Sequence, residues 1–353
     1  MMLLTIVIFI AVLAVLILAH EFGHFITAKM SDIEVQEFGL GYPPRLFGFK
    51  RGETTYSLNA IPLGGFTKML GEEDPNFPRS LASKSIPIRM LVLAAGSLMN
   101  LLLPVLLYTI SFMVPHAAYI EKVQIEEVNI GSPAQIAGVS AGDILLQVNG
   151  RPIQNRQDVS YLIQLNRGSD VTFLIQKPDT TDKEVIVHAR WSPPAGEGAT
   201  GIKIKGIDTT ETTESIPFWK AIPDSFVHCW EILILFKNEV IGWFTQSSAP
   251  VLTGPIGIVQ VTGEVAKNGL VSILEFTALL SINLAIINLF PFPGLDGGRL
   301  VFVLLEWVRR GKRISPKKEG LVHLIGFFAL ITLIMVISYY DIARIIEGGS
   351  LLP

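Results

Sequence analysis

Four stretches of the 353-residue chain are apolar for long enough to cross a bilayer, roughly 2–27, 88–114, 271–290 and 321–339; a helical span needs about 20 such residues. The first of them carries no charge at all over residues 1–19. Between the second and third stretches the pattern changes. Residues 115–215 alternate short apolar and polar runs, and Val123–Val128, Val171–Ile175 and Val185–His188 have the period-two character of strands. Ser132 and Pro133 start a short helix with proline in its first turn, and Asn149-Gly150 is a dipeptide that closes a hairpin. Residues 216–247 are apolar and aromatic but contain Pro223, Asp224, Glu231, Lys237 and Glu239. That mixture suits an amphipathic helix lying in the membrane interface better than a span.

The predicted fold is therefore a polytopic α-helical membrane protein of four spans with an α+β domain inserted between the second and third. A first membrane part covers 1–114, the inserted domain 115–215, an interfacial segment 216–270 and a second membrane part 271–353. Composition supports this division: hydrophobic residues make up 50% and charged residues only 17%, with a mean hydropathy of +0.48, whereas a soluble domain has about a quarter of its residues charged. The net charge of −3 and the lack of a basic stripe argue against a nucleic-acid partner. A single cysteine, Cys229, excludes internal disulfides and a cysteine zinc cluster. The first segment has neither the basic start nor the small-residue cleavage site of a signal peptide, so it is expected to be retained. Arg309, Arg310, Lys312, Arg313, Lys317 and Lys318 cluster in the link between the last two spans, which places that link in the cytoplasm. Residues 28–87 then lie inside as well, and 115–270 outside.

Candidate chemistry sits where ionisable residues are expensive and hence functional by default. The first apolar run leads into His20, Glu21 and His24. On a helix, residues four apart share a face, so the two imidazoles stand together with Glu21 beside them. This is the H-E-x-x-H pattern, in which the histidines bind zinc and the glutamate serves as base. A catalytic zinc takes about three protein ligands and one water position, so a third ligand is needed. Asp296 is the candidate, at the end of the third span after Asn288, Pro291 and Pro293 and before Gly297 and Gly298. Taken alone it is an ordinary helix-capping aspartate. Broken backbone of this kind at membrane depth survives only where protein or a water-filled cavity covers it.

Together, H-E-F-G-H on the first span and N-x-x-P-x-P-x-L-D-G-G near the third resemble the site-2 protease family (peptidase M50) of intramembrane zinc metalloproteases. The order G-S-P-A-x-x-A-G, then A-G-D-x-L-x-x-V-N-G, over Gly131–Gly138 and Ala141–Gly150 is similar to a bacterial PDZ domain. A single such domain between spans two and three resembles the bacterial RseP type. The resemblance implies His20, His24 and Asp296 as ligands of one Zn2+ per chain, with Glu21 as catalytic base. It also implies a place for Asn288 near the substrate or the developing oxyanion, with Asn283 a further candidate one and a half turns earlier. Residues 52–69 correspond to a membrane-re-entrant β-hairpin in the family, Thr54–Asn59 forming a strand and Gly64-Gly65 turning the chain before Phe66–Met69. Leu252–Gly257 also resembles a family segment, with no residue-level role beyond a turn.

The partners implied are transmembrane protein substrates, the lipid bilayer, and a peptide or substrate outer domain at the PDZ domain. No glycine-containing carboxylate-binding loop is evident before Val128. The expected setting is the bacterial cytoplasmic (inner) membrane, with the PDZ domain extracytoplasmic and the zinc site toward the cytoplasm. The implied activity is regulated intramembrane proteolysis of membrane-anchored regulators such as anti-sigma factors, or clearance of remnant signal peptides. Two rival classes fit parts of the pattern. A non-catalytic PDZ scaffold has no use for an intact zinc motif. A proton-coupled transporter uses intramembrane His, Glu and Asp as relays but needs no glutamate between two histidines. The remaining histidines, His116, His188, His228 and His323, have no ligand spacing with one another.

Overall fold

A computed structural model describes residues 2–72, 74–245 and 253–347. In chain order its first elements are α1 (Met2–Met30), β1 (Val35–Arg51), β2 (Thr54–Met69) and α2 (Ile86–Met113). Then come β3 (His116–Val128), α3 (Pro133–Ile136), β4 (Ile144–Val148), β5 (Arg151–Pro152) and α4 (Arg156–Leu165). β6 (Asp170–Gln176), β7 (Asp182–His188), β8 (Ile202–Glu214) and α5 (Phe218–Thr245) follow. The last elements are α6 (Pro255–Lys267), α7 (Leu270–Leu289), α8 (Asp296–Val308) and α9 (Pro316–Ile346). The chain forms two compact units, Met1–Ser111 with Leu252–Pro353, and Phe112–Val251.

In the first unit, α1, α2, α7 and α9 are the described helices long and apolar enough to cross a membrane. They coincide with the four apolar stretches. α8 is an addition that the charged link concealed. Its Val303, with Leu300 packed alongside, shares a core with Ala28 of α1, Val35 of β1, Met69 of β2 and Val92 of α2. The far end of α8 is held by charge. Glu306 is 7% exposed and accepts from Arg89 at 2.7 Å and from Arg313 at 3.0 Å. Burial by itself would raise the Glu306 carboxyl, but the two guanidinium bonds outweigh it and hold the group below the usual carboxylate range.

β1 and β2 form a two-stranded antiparallel sheet, with a register that differs from the expected hairpin. Residues 37–40 of β1 pair on one side with 55–58 and on the other with 65–68. A turn falls at Gly52, whose φ is +63°, and β2 reverses again between Leu58 and Gly65, because 55–58 and 65–68 run in opposite senses along 37–40; the two arms flank β1 instead of pairing with each other. A Cβ on Gly65 would stand 2.7 Å from Ile17 Cγ2 and 2.9 Å from Glu21 Cγ. Gly65, at the end of that reversal, therefore also serves close packing against α1. The tip of the sheet is tied to the end of α1: Lys29 donates to Glu53 at 2.6 Å, and Arg79 donates to it at 2.8 and 3.0 Å. Arg79, and then Lys29, lower the Glu53 carboxyl to about 2.

The 253–257 segment gains a role beyond a turn; Leu252 lies outside the described residues. Asp341 on α9 is fully buried and accepts the Gly254 and Gly257 N–H groups at 2.9 Å each. It thereby satisfies the orphan donors at the start of α6, and α6 packs on α1 and α9.

The second unit is a sheet ordered β7-β6-β4-β3-β8 with β5 paired to β4. Val123, Val148, Val171, Phe173, Ile175 and Val187 fill its core with α4 residues Val159 and Leu162. Ser132 caps α3 by accepting the Gln135 N–H, and Asn149 and Gly150, at φ of 51° and 75°, close the β4–β5 turn. The expected 216–270 segment is divided. α5 clusters with the sheet and α6 with the first unit, residues 246–252 lying outside the described ones. α5 buries Glu231 and Asn238. Glu231 accepts from Arg151 and from the Tyr161 hydroxyl, while Asn238 donates to the Gln164 and Leu165 carbonyls at the end of α4. Its Phe218, Trp219, Phe226 and Trp230 are exposed.

Replacing Glu306 with Ala leaves Arg89 and Arg313 without their shared partner, and breaking a buried ion pair costs about 3–5 kcal/mol. A marked drop in the thermal unfolding temperature of purified protein is expected. An unchanged temperature would show that α8 is held without the Glu306 ion pairs.

Candidate metal centre

The final turns of α1 carry His20, Glu21 and His24, and the first residue of α8 is Asp296. His20 Nε2 and His24 Nε2 lie 3.3 Å apart, and each is 3.1 Å from Asp296 Oδ2. Around a tetrahedral zinc with bonds of about 2.0–2.1 Å, donor atoms stand about 3.3 Å from one another. The three atoms therefore have the spacing that a zinc requires, as well as its preferred nitrogen and carboxylate chemistry. Among the described residues this is the group of three able to hold a metal ion.

Packing from α2 aims the rings. His24 Nδ1 stands 2.8 Å from the Val92 carbonyl. A carbonyl only accepts, so the proton lies on Nδ1 and the Nε2 lone pair points to the centre. A Cβ at Gly96 would fall 2.4 Å from His24 Nε2 and 2.8 Å from His20 Nε2, and one at Gly23 would fall 2.2 Å from the Ala95 carbonyl. α1 and α2 can meet at this distance only because neither position has a side chain. Gly297 and Gly298 act alike around the broken segment: their Cβ atoms would strike the carbonyls of Phe290 at 2.2 Å and Phe292 at 2.4 Å. His323 accepts the Gly294 N–H at 3.0 Å, which ties that segment to α9.

β2 supplies the other wall. The Thr67 hydroxyl is 2.8 Å from Glu21 Oε2 and 3.0 Å from the Glu21 carbonyl. A cavity of about 470 Å³ opens over the three donors, lined also by Glu21, Tyr42, Gly65–Met69, Glu72, Asn288 and Arg299. Burial, and then the Glu21 charge, raise the Tyr42 phenol, which keeps it a hydrogen-bond donor. Arg299 donates to Glu72 at 2.9 Å; one turn after Asp296, it ties α8 to the end of β2.

Asn288 reaches this cavity and Asn283 does not. Five residues along a helix amount to about 140° of rotation beyond a full turn, so the two side chains leave α7 on different faces. Thr67, Tyr42, Glu72 and Arg299 were not singled out by sequence reasoning, because non-local folding brings them in.

Residues 8–333 match the model of Peptidase family M50. The chain belongs to that family. It is 35% identical to a protein of Clostridium acetobutylicum, provisionally named a zinc metalloprotease, over 96% of this chain and 97% of the relative. It is also 28% identical to the zinc metalloprotease RasP of Oceanobacillus iheyensis, over 97% and 99% of the two chains, and 27% identical to RasP of Geobacillus kaustophilus, over 96% and 98%. The Oceanobacillus alignment runs for 428 positions against the 353 residues of this chain, so at least 75 (428 less 353) have no counterpart here. This M50 protein is thus a zinc metalloendopeptidase and a multi-pass membrane protein, which sets aside the scaffold and transporter readings.

The two glycine contacts separate metal retention from turnover. Gly96→Val is expected to lose bound zinc, and Gly65→Val to keep zinc while losing proteolysis, because only the first displaces the imidazoles. Metal analysis of both purified variants checks this, and equal zinc content in the two would refute the division of roles.

Proposed function

We propose that this M50 enzyme is an intramembrane endopeptidase that cuts peptide bonds within transmembrane segments, in membrane-anchored regulators such as anti-sigma factors or in remnant signal peptides. The observation that carries the reading is the meeting of His20, His24 and Asp296 at zinc-like spacing, with Glu21 and the edge of β2 facing the same cavity. His20, His24 and Asp296 would hold the metal. When bound, zinc supplies Lewis acidity toward a carbonyl and lowers the pKa of water to about 7. Glu21 takes the proton of the attacking water and passes it to the leaving amine. The Thr67 hydroxyl orients that carboxylate; Asn288 lines the same cavity and in this reading would donate to the developing oxyanion. Residues 65–69 pair with β1 along one edge and border the cavity. A substrate helix, once unwound, exposes amides that need partners, and an edge strand supplies them.

The Lys and Arg distribution supports placing residues 28–87 and the α8–α9 link at the cytoplasmic face of a bacterial inner membrane, with the sheet unit extracytoplasmic. The exposed aromatic residues of α5 suit an interfacial position. The order of elements in the sheet unit supports a PDZ reading. One of its edge strands is β8, preceded by Gly196, Gly198 and Gly201, so a glycine-rich loop falls after the helix and not before Val128. Between β8 and α4 lies a groove of about 650 Å³, lined by residues including Arg156, Ser160, Ile204 and Thr209. A peptide or a substrate's outer domain would dock there as an added strand. The positions that RasP has in excess of this chain leave room for a further domain in that relative.

Glu21→Gln is expected to retain zinc and bind a single-span test substrate while losing turnover by about 10²–10⁴-fold or more. Wild-type turnover by that variant would rule out Glu21 as the base. Ser160→Trp fills the groove without touching the metal donors. It is expected to leave zinc content and cleavage of a short, pre-trimmed substrate intact, and to change discrimination against substrates with intact outer domains. Unchanged discrimination would move the gate to the membrane unit.

A further inference from the structure

Asn100 on α2, one turn beyond Gly96, is fully buried. Its backbone carbonyl accepts the Ser281 hydroxyl of α7 at 2.8 Å, so α2 is fixed at this level by two neighbours. Its carboxamide nitrogen stands 3.4 Å from His20 Nδ1, while its Oδ1 has no hydrogen-bond partner among the described residues. A buried amide oxygen left unpaired beside a ring nitrogen is costly. The two ends of a carboxamide have the same shape, and a half-turn exchanges them.

We propose that Asn100 is the positioning residue of His20: its amide oxygen accepts the Nδ1–H, confining the ring to the tautomer whose Nε2 lone pair faces His24 Nε2 and Asp296 Oδ2. The inference rests on His20 being a zinc ligand. The same site contains the parallel, since His24 Nδ1 meets the Val92 carbonyl at 2.8 Å. With the amide nitrogen toward the ring, the proton is forced onto Nε2, where it meets Asp296 Oδ2 at 3.1 Å and blocks that nitrogen as a ligand. Orientation of one carboxamide and metal binding are therefore mutually dependent. Carbonyl or carboxylate partners on the far nitrogen of a ligating histidine orient the ring and raise its basicity.

The test is zinc affinity, measured by competition with a chromogenic chelator on the full-length protein in detergent. Asn100→Leu and Asn100→Ala should bind zinc about 10–100-fold more weakly, and Asn100→Asp, which keeps an acceptor at the same place, should recover most of the loss. If the leucine variant does not fold, the alanine and aspartate pair gives the comparison. His20→Ala is the control: wild-type affinity there would remove the ligand assignment and the proposal with it. Should His20→Ala lose zinc while folded Asn100→Ala retains wild-type affinity, or should Asn100→Asp bind no better than Asn100→Ala, the positioning role is overturned.

Discussion

An imidazole pair and two carboxylates at the end of an apolar helix are tolerable only if they satisfy one another or a cation, because the surroundings offer them little water. His20, His24 and Asp296 meet that condition through donor separations of 3.1–3.3 Å, and much of the first unit exists to maintain them. Asp296 comes from the opposite end of the sequence on α8, so α8 has to be located to within a fraction of an ångström. Arg89 and Arg313 fix it at Glu306, Arg299 fixes it at Glu72, and Val303 fixes it in the shared core. Each contact acts on α8 away from Asp296 itself, yet each constrains where its carboxylate stands.

A steric pattern surrounds the two imidazoles. The elements that frame α1 approach it more closely than side chains usually permit. Gly23 and Gly96 allow it between α1 and α2, and Gly65 between β2 and α1. None of these three has a positive φ, so their use here is space and not backbone freedom.

What the sequence disclosed was local. The H-E-x-x-H face follows from helical periodicity, the spans follow from hydropathy, and Ser132 and Asn149 follow from cap and turn chemistry. The missed parts depend on non-local pairing. β1 contains Gly39, Gly41, Pro43, Pro44 and Gly48, which reads as loop until both edges of residues 37–40 are paired. β8 alternates only over Ile202–Lys205 and is otherwise a polar, threonine-rich edge strand, and α8 was hidden beside a basic link. Asn283 was a further candidate under the family resemblance, although rotation about α7 turns it away from Asn288. Asn100 left a signal that was not used: it is the lone carboxamide of a largely apolar span, and polar groups in such places have partners to serve.

The bond between Thr67 and Glu21 joins two requirements that a protease acting on helices must meet together. A peptide bond inside a helix is protected because its carbonyl and amide are already paired, so the unwound state has to be captured at the place where water is activated. In the proposed reaction the capturing surface is the cavity-facing edge of residues 65–69, and the activating group is Glu21. The Thr67 hydroxyl contacts both the carboxylate and the backbone carbonyl of Glu21, which fixes the position of the strand relative to that carboxylate. A substrate that aligns on the strand is thereby aligned on the base, and one that stays helical engages neither. On that reading, selectivity for segments that unwind easily would follow from the placement of the Thr67 hydroxyl on the strand edge.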